Sequence, residues 1–247
     1  MKRRCLLWIV FVVIGLLSGC RKQEAIPTTI PETTVQIQME TVAATTTAAT
    51  ELPTEETTAP TTQPLPEPED ADFVKITDYI PTVHQELFYA TDRNFTGQVI
   101  YDFEEAYLRY GTVKKLMAVA ADLEEMGLFL KIWDGFRPVS AQFKLWEIYP
   151  DPTYVANPTK GYSSHSRGNT VDLTLVDGNG AEFPMPTGFD DFSPKADRNY
   201  SDCTEEEANN AQLLEILMEK HGFTGYFGEW WHYSDTVSYP VEMEFEP

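Results

Sequence analysis

Two apolar periods alternate along the C-terminal two thirds of the chain, and the switches between them predict its elements. Leu116, Val119, Ala120 and Leu123 share one face at spacings of three and four, so a helix is expected from a cap at Thr112 to a stop at Gly127. Directly beyond, "LFLKIW" (128–133) is a short apolar run that reads as a buried strand, and "DGFRP" turns the chain because Pro138 cannot continue a ladder. Ser140 is placed to cap a short helix through "AQFKLWEIY". In "NTVDLTLV" the period drops to two. Thr170, Asp172 and Thr174 fall on one face and Val171, Leu173 and Leu175 on the other, which predicts a half-buried strand. Thr204 and Glu207 have capping-box spacing ahead of "ANNAQLLEILMEKHG", a helix ended by Gly222. Finally "YFGEWWHYS" reads as one aromatic-rich strand. This order gives an α+β fold, a small, mainly antiparallel sheet with helices packed on one face.

Periodicity is absent from the N-terminal part. Lys2, Arg3 and Arg4 precede an apolar run from Leu6 to Leu17, too short for the roughly 20 residues that span a bilayer, so residues 1–19 read as a signal peptide. Ser18 and Gly19 directly before Cys20 resemble the lipobox of bacterial lipoproteins. That resemblance implies cleavage before Cys20, diacylglycerol on its sulfur and a lipid anchor of more than one chain on the outer side of the cytoplasmic membrane. The alternative is an ordinary secretory signal with an incidental cysteine. Residues 20–71 are rich in Thr, Pro, Glu and Ala with few bulky apolar side chains, which predicts a disordered stalk. Residues 72–247 are then one domain with a substantial core. Cys5 leaves with the signal and Cys20 is acylated, so Cys203 is expected to have no disulfide partner. The net charge of −21, more negative still once the basic signal is removed, argues against nucleic acid and against electrostatic adsorption to anionic lipid.

Asp172 does not fit a purely structural reading. A carboxylate centred in "TVDLTL" is costly to bury without a cation, either an arginine or a metal. His165 lies seven residues upstream in "YSSHSRGNTVD", where Gly168 permits a bend, and His232 lies in "GEWWHYSD". Two imidazoles and one carboxylate are a normal zinc donor set that leaves a position for water. Glu229 precedes His232 by three, an odd offset that puts the two on opposite faces of a regular strand. We therefore place Glu229 in the bend at Gly228, leaning over a metal held by His232, as general base to a metal-activated water. "GEWWHYSD" taken alone also reads as plain aromatic core.

"SSHSRGNTVDLTL" and "EWWHY" together resemble the paired motifs of the D-Ala-D-Ala dipeptidases, a family of zinc metallopeptidases. "ELFYATDRNFTG", "WDGFRP", "MPTGFD" and "NAQLLEILMEKHGF" extend the likeness over the whole domain from Phe73. The resemblance implies one Zn2+ per chain on His165, Asp172 and His232, with Glu229 as catalytic acid/base. It implies that Arg137 stabilises the oxyanion; on residues alone Arg137 reads instead as a surface ion pair, with Asp134 a candidate partner. Tyr89, Ser163 and Asp190 match positions that line the substrate pocket, Asp190 being suited to a dipeptide's ammonium. Tyr89 and Ser163 also read as packing or turn residues, and Trp230 and Trp231 as core and pocket wall. Thr170 stands where the family has alanine, on the strand face of Asp172.

The expected activity is hydrolysis of D-alanyl-D-alanine outside the cytoplasmic membrane, in wall-peptide turnover or salvage. Two alternatives stand beside it, a D,D-carboxypeptidase trimming peptidoglycan stem peptides and a non-catalytic, zinc-containing wall-binding lipoprotein. The second rests on a further likeness to the metal-containing domain of hedgehog proteins, and Glu229 with Arg137 argues against it.

Overall fold

A computed structural model of the chain describes residues 67–247. The signal peptide, Cys20 and nearly all of the expected stalk lie outside the described residues. No helix among the described residues is long and apolar enough to cross a membrane.

A five-stranded sheet organises the domain. Its strands are β2 (His84–Gln85), β4 (Phe129–Asp134), β5 (Thr170–Val176), β6 (Phe223–Tyr226) and β7 (Glu229–Asp235), in the order β2-β4-β5-β7-β6. Only the β2–β4 pair is parallel. A separate ribbon pairs β1 (Phe73–Lys75) with β3 (Tyr107–Arg109). Among the described residues four α-helices accompany the strands, α1 (Ile76–Tyr79), α2 (Tyr110–Glu124), α3 (Val139–Ile148) and α4 (Glu205–Lys220). Helices α2 and α4 lie against the sheet and against each other. Leu116, Val119, Leu123, Leu214 and Met218 from these helices are buried in one core with Leu130, Ile132, Val171, Leu173, Leu175 and Phe223 from the sheet. The α+β architecture expected from the periodicities is therefore present.

Several local expectations are corrected. Helix α2 starts at Tyr110, with Arg109 as its N-cap residue and no side-chain cap. The Tyr110 and Gly111 amides donate instead to the carbonyls of Asp72 (2.8 Å) and Asp70 (3.0 Å), so a distant backbone segment does the work expected of Thr112. Thr112 is fully buried one turn in, donating its hydroxyl to Asp235 at 2.9 Å. Glu67 and Asp70, assigned to the stalk by composition, are tied to α2 through Tyr110 (2.7 Å) and Lys114 (2.6 Å). Ser140 likewise lies inside α3, which begins after Pro138. Only the cap of α4 matches: Thr204 accepts from the Glu207 amide at 3.2 Å, and the Glu207 carboxylate accepts from the Thr204 amide at 2.8 Å.

The two strands that matter most also depart from expectation. β5 is buried on both faces, because its polar face is covered by the chain that forms the site rather than left to solvent. "YFGEWWHYS" is not one strand but a hairpin, β6 and β7 joined through Phe227 and Gly228. Its register slips between the Gly225–Tyr233 pair and the Tyr226–Glu229 pair, so strict alternation fails in β7. Trp230 and Trp231, adjacent in sequence, are consequently both fully buried.

Candidate metal and catalytic site

Three neighbouring strands place their functional residues on one rung. Asp172 of β5 pairs directly with His232 of β7, and an irregularity in β4 after Ile132 brings Asp134 opposite Asp172 on the other side. Paired residues point to the same face of a sheet, so Asp172 and His232 are forced together by register. His165 joins them from a single 3₁₀ turn, Ser164–Arg167, packed against β5. That turn opens with the Ser163 hydroxyl accepting from the His165 amide at 3.3 Å and closes on Gly168 in the left-handed region at φ 73°. A Cβ at Gly168 would collide with the Phe73 ring, which makes the bend doubly dependent on glycine.

Nδ1 of His165 lies 2.8 Å from the Gly135 carbonyl, to which it donates, and this turns Nε2 towards the other two residues. From Nε2 the distances are 3.3 Å to Asp172 Oδ2 and 3.4 Å to His232 Nδ1. His232 Nδ1 stands 2.9 Å from Asp172 Oδ1, but the contact lacks hydrogen-bond geometry and this buried oxygen has no partner. Burial pushes the Asp172 carboxyl up, and the two imidazoles overcome this to hold it well below the usual carboxylate range. One donor atom from each of the three residues lies within 4.8 Å of the others. A tetrahedral ion with bonds of about 2.0–2.2 Å spaces its ligands about 3.3–3.6 Å apart. The donor types, their separations and the orphaned oxygen all fit such an ion.

Glu229, the first residue of β7, sits with Oε2 3.6 Å from His232 Nδ1. The slipped register resolves the odd offset noted in the sequence: both side chains reach the same side because β7 does not alternate here. Burial raises the Glu229 pKa, against the pull of the neighbouring His232, which makes its carboxylate a better proton acceptor.

A cavity of about 320 Å³ opens over these groups, and Tyr89, Arg137, Ser163, His165, Asp172, Asp190, Glu229 and His232 all line it. Every candidate residue within the described chain is thus brought to one place; Cys20 lies outside it. Trp230 and Trp231 are core and do not reach the cavity wall, and the Trp230 indole donates to Thr187 at 2.9 Å. The Thr170 hydroxyl is engaged with Ser234 at 2.8 Å, and so is turned to the β7 backbone partner rather than to the donor set.

Arg137 and Asp134 do pair, but the pair is buried rather than superficial. Nη2 and Nε of Arg137 approach Asp134 Oδ2 at 2.6 and 3.2 Å, and Nη1 donates to Gln142 at 3.0 Å. Burial opposes the charge on Arg137, and Asp134 more than restores it. Tyr101 (2.7 Å) and the Gly135 amide (2.9 Å) saturate the other Asp134 oxygen. Tyr101 and Gln142 were not identified in the sequence, and no local signal marks either. The Arg137 guanidinium lies over the Tyr89 ring, 5.0 Å from its centroid, and the Tyr89 hydroxyl donates to Asp190 Oδ2 at 2.7 Å. Burial pushes Asp190 up to about 8 and pushes Tyr89 up as well, so Tyr89 stays a neutral donor.

Buried His and Asp donors with a partly desolvated carboxylate beside them, at the base of an open cavity on an α+β sheet, are the makings of a hydrolytic metal site. The family is narrower than that class. The Peptidase_M15 model, described as D-ala-D-ala dipeptidase, matches residues 69–244, and the chain belongs to this family. It is 34% identical to the D-alanyl-D-alanine dipeptidase of Escherichia coli K12 over 175 residues, 70% of this chain and 90% of that one. It is also 34% identical to the D-alanyl-D-alanine dipeptidase of Enterococcus faecalis V583 over 186 residues, 65% and 90% of the two chains. Among solved structures, it is similar to the D,D-dipeptidase VanXYg in complex with a D-Ala-D-Ala phosphinate analog, at TM-score 0.35 and 18% identity over 56% of this chain and 53% of that one.

Proposed function

We propose that this protein is a zinc-dependent D,D-dipeptidase that hydrolyses D-alanyl-D-alanine or a close relative outside the cytoplasmic membrane, in wall-peptide turnover or salvage. The observation that carries this reading is the convergence of His165, Asp172 and His232 donor atoms within 4.8 Å, beside Glu229, in a member of the D-Ala-D-Ala dipeptidase family. His165 through Nε2, His232 through Nδ1 and Asp172 through its unpartnered oxygen would hold the ion. When bound, zinc supplies a Lewis acid that polarises the scissile carbonyl and eases deprotonation of water.

The remaining chemistry belongs to the side chains. Glu229 takes the proton of the attacking water and returns it to the departing amine. The Arg137 guanidinium, fixed by Asp134 and Gln142, donates to the oxygen on which negative charge develops as the carbonyl carbon becomes tetrahedral. Because Asp134 orients it beforehand, no reorganisation is needed when the charge appears. Asp190, held by Tyr89, faces the substrate's ammonium, and a cation there favours its ionised form. A carboxylate at that end suits a free amino terminus, which supports a dipeptidase over a carboxypeptidase acting on longer stems. Ser163 lines the cavity and fixes the His165 turn.

Export rests on the signal-like residues 1–19, and anchoring on Cys20. An enzyme outside the membrane meets released wall peptides rather than cytoplasmic precursors. Incubating the purified domain with zinc and either D-Ala-D-Ala or a stem pentapeptide tests the reading. Rapid cleavage of the dipeptide is expected, and release of D-alanine from the pentapeptide alone would replace it with the carboxypeptidase.

A further inference from the structure

Beside the catalytic cavity lies a second hollow of about 310 Å³ whose walls are four aromatic rings, Phe95, Tyr149, Tyr154 and Phe192. The rings form a closed circuit. Centroid separations are 5.7 Å for Phe95–Tyr149, 5.6 Å for Tyr149–Tyr154, 4.9 Å for Tyr154–Phe192 and 5.5 Å for Phe192–Phe95. Tyr154 and Phe192 also line the catalytic cavity, so the two spaces share a wall. Tyr149 and Tyr154 remain 41% and 38% exposed, so these rings are not consumed by the core.

The hollow adjoins one end of the site in particular. Phe192 follows Asp190 by two residues, and the Phe95 ring stands 6.4 Å from that of Tyr89, whose hydroxyl holds Asp190. In a dipeptide the ammonium and the first side chain leave the same carbon. A substrate whose ammonium faces Asp190 therefore carries its first side chain nearer to this box than its second, which lies beyond the scissile bond.

We propose that the Phe95–Tyr149–Tyr154–Phe192 box is a subsite for a bulky apolar side chain on the first residue of the dipeptide. This deepens the dipeptidase reading and rests on it. A methyl group leaves the box empty, whereas a leucine or phenylalanine side chain exchanges water for contact with the four rings. Apolar pockets discriminate by about 10- to 200-fold for small differences in filling, which sets the scale of the preference.

The test compares D-Ala-D-Ala, D-Leu-D-Ala and D-Ala-D-Leu, by kcat/KM on the zinc-loaded wild type and by calorimetric Kd on a Glu229→Ala protein that cannot turn them over. D-Leu-D-Ala is expected to be favoured over D-Ala-D-Ala by about 10-fold or more in both measurements, with no such gain for D-Ala-D-Leu. Phe95→Ala and, separately, the more exposed Tyr149→Ala should each remove most of that preference and leave kcat/KM for D-Ala-D-Ala within about threefold. A D-Leu-D-Ala Kd no tighter than that of D-Ala-D-Ala, or a preference that survives both substitutions, overturns the subsite. A gain confined to D-Ala-D-Leu also overturns it, by placing the box at the other end. Failure of the wild type to hydrolyse any of the three overturns the dipeptidase reading itself, while the Kd series still decides the box.

Discussion

Asp172 and Asp235 are both aspartates of the central sheet, both at most 5% exposed, and chemically opposite in what surrounds them. Asp235, the last residue of β7, accepts from the Thr112 hydroxyl at 2.9 Å, the Val237 amide at 2.7 Å and the Lys115 ammonium. Its charge and its lone pairs are answered from within the fold. Asp172 is approached only by the imidazoles of His165 and His232, and one of its oxygens has no hydrogen bond at all. A buried carboxylate that the protein saturates is a structural clamp. One that it leaves unsatisfied between two imidazoles is set for a ligand that carries positive charge.

Substitutions separate the two cases, the largest effect first. Glu229→Ala leaves the donor set of Asp172 intact and should retain bound zinc, yet lose turnover of D-Ala-D-Ala by about 10³-fold or more; steady-state kinetics with metal content measured on the same sample checks both halves. Asp235→Ala should do the reverse. Removing one member of a buried pair costs about 3–5 kcal/mol, and the lower figure applies because Lys115 is about a quarter exposed and can find water. For a domain of this size that corresponds to a fall in Tm of roughly 6–12 °C by calorimetry, with zinc content unchanged.

The last effect appears only as pH rises and concerns Asp190, whose carboxyl is raised to about 8 by burial. A raised acid binds its proton in the folded state but has lost it in the unfolded state between the ordinary carboxylate range and about pH 8. Its contribution therefore lowers stability progressively as pH rises through that window. Asp190→Asn should melt at about the wild-type temperature near pH 4 and above it at pH 8 in substrate-free protein, the gap widening through that window, as pH-resolved melting curves would report. Equal melting temperatures at pH 8 would show that Asp190 is not desolvated as described.

The same contrast explains what the sequence could and could not reveal. Asp172 was conspicuous because a carboxylate inside "TVDLTL" violates a local expectation, and His165 and His232 have the chemistry to answer it. Asp235 was not conspicuous, since its partners Thr112 and Lys115 come from α2, more than a hundred residues away. That distant demand is also why Thr112 serves as a buried donor rather than as a helix cap. The cap of α4 was legible because Thr204 and Glu207 complete it within four residues. On residues alone Arg137 reads as a surface ion pair because Tyr101, which helps bury its partner Asp134, lies on a separate loop. The β6–β7 hairpin was hidden by a continuous aromatic run, and only the register slip at Gly225–Tyr226 brings Glu229 over to His232.

The most direct measurement is the zinc content of the purified wild-type protein beside that of Asp172→Ala, by elemental analysis after exhaustive dialysis. One zinc per wild-type chain and almost none in the variant is the predicted result. A wild type without bound metal, or an Asp172→Ala protein that holds zinc as well as the wild type does, would contradict the account.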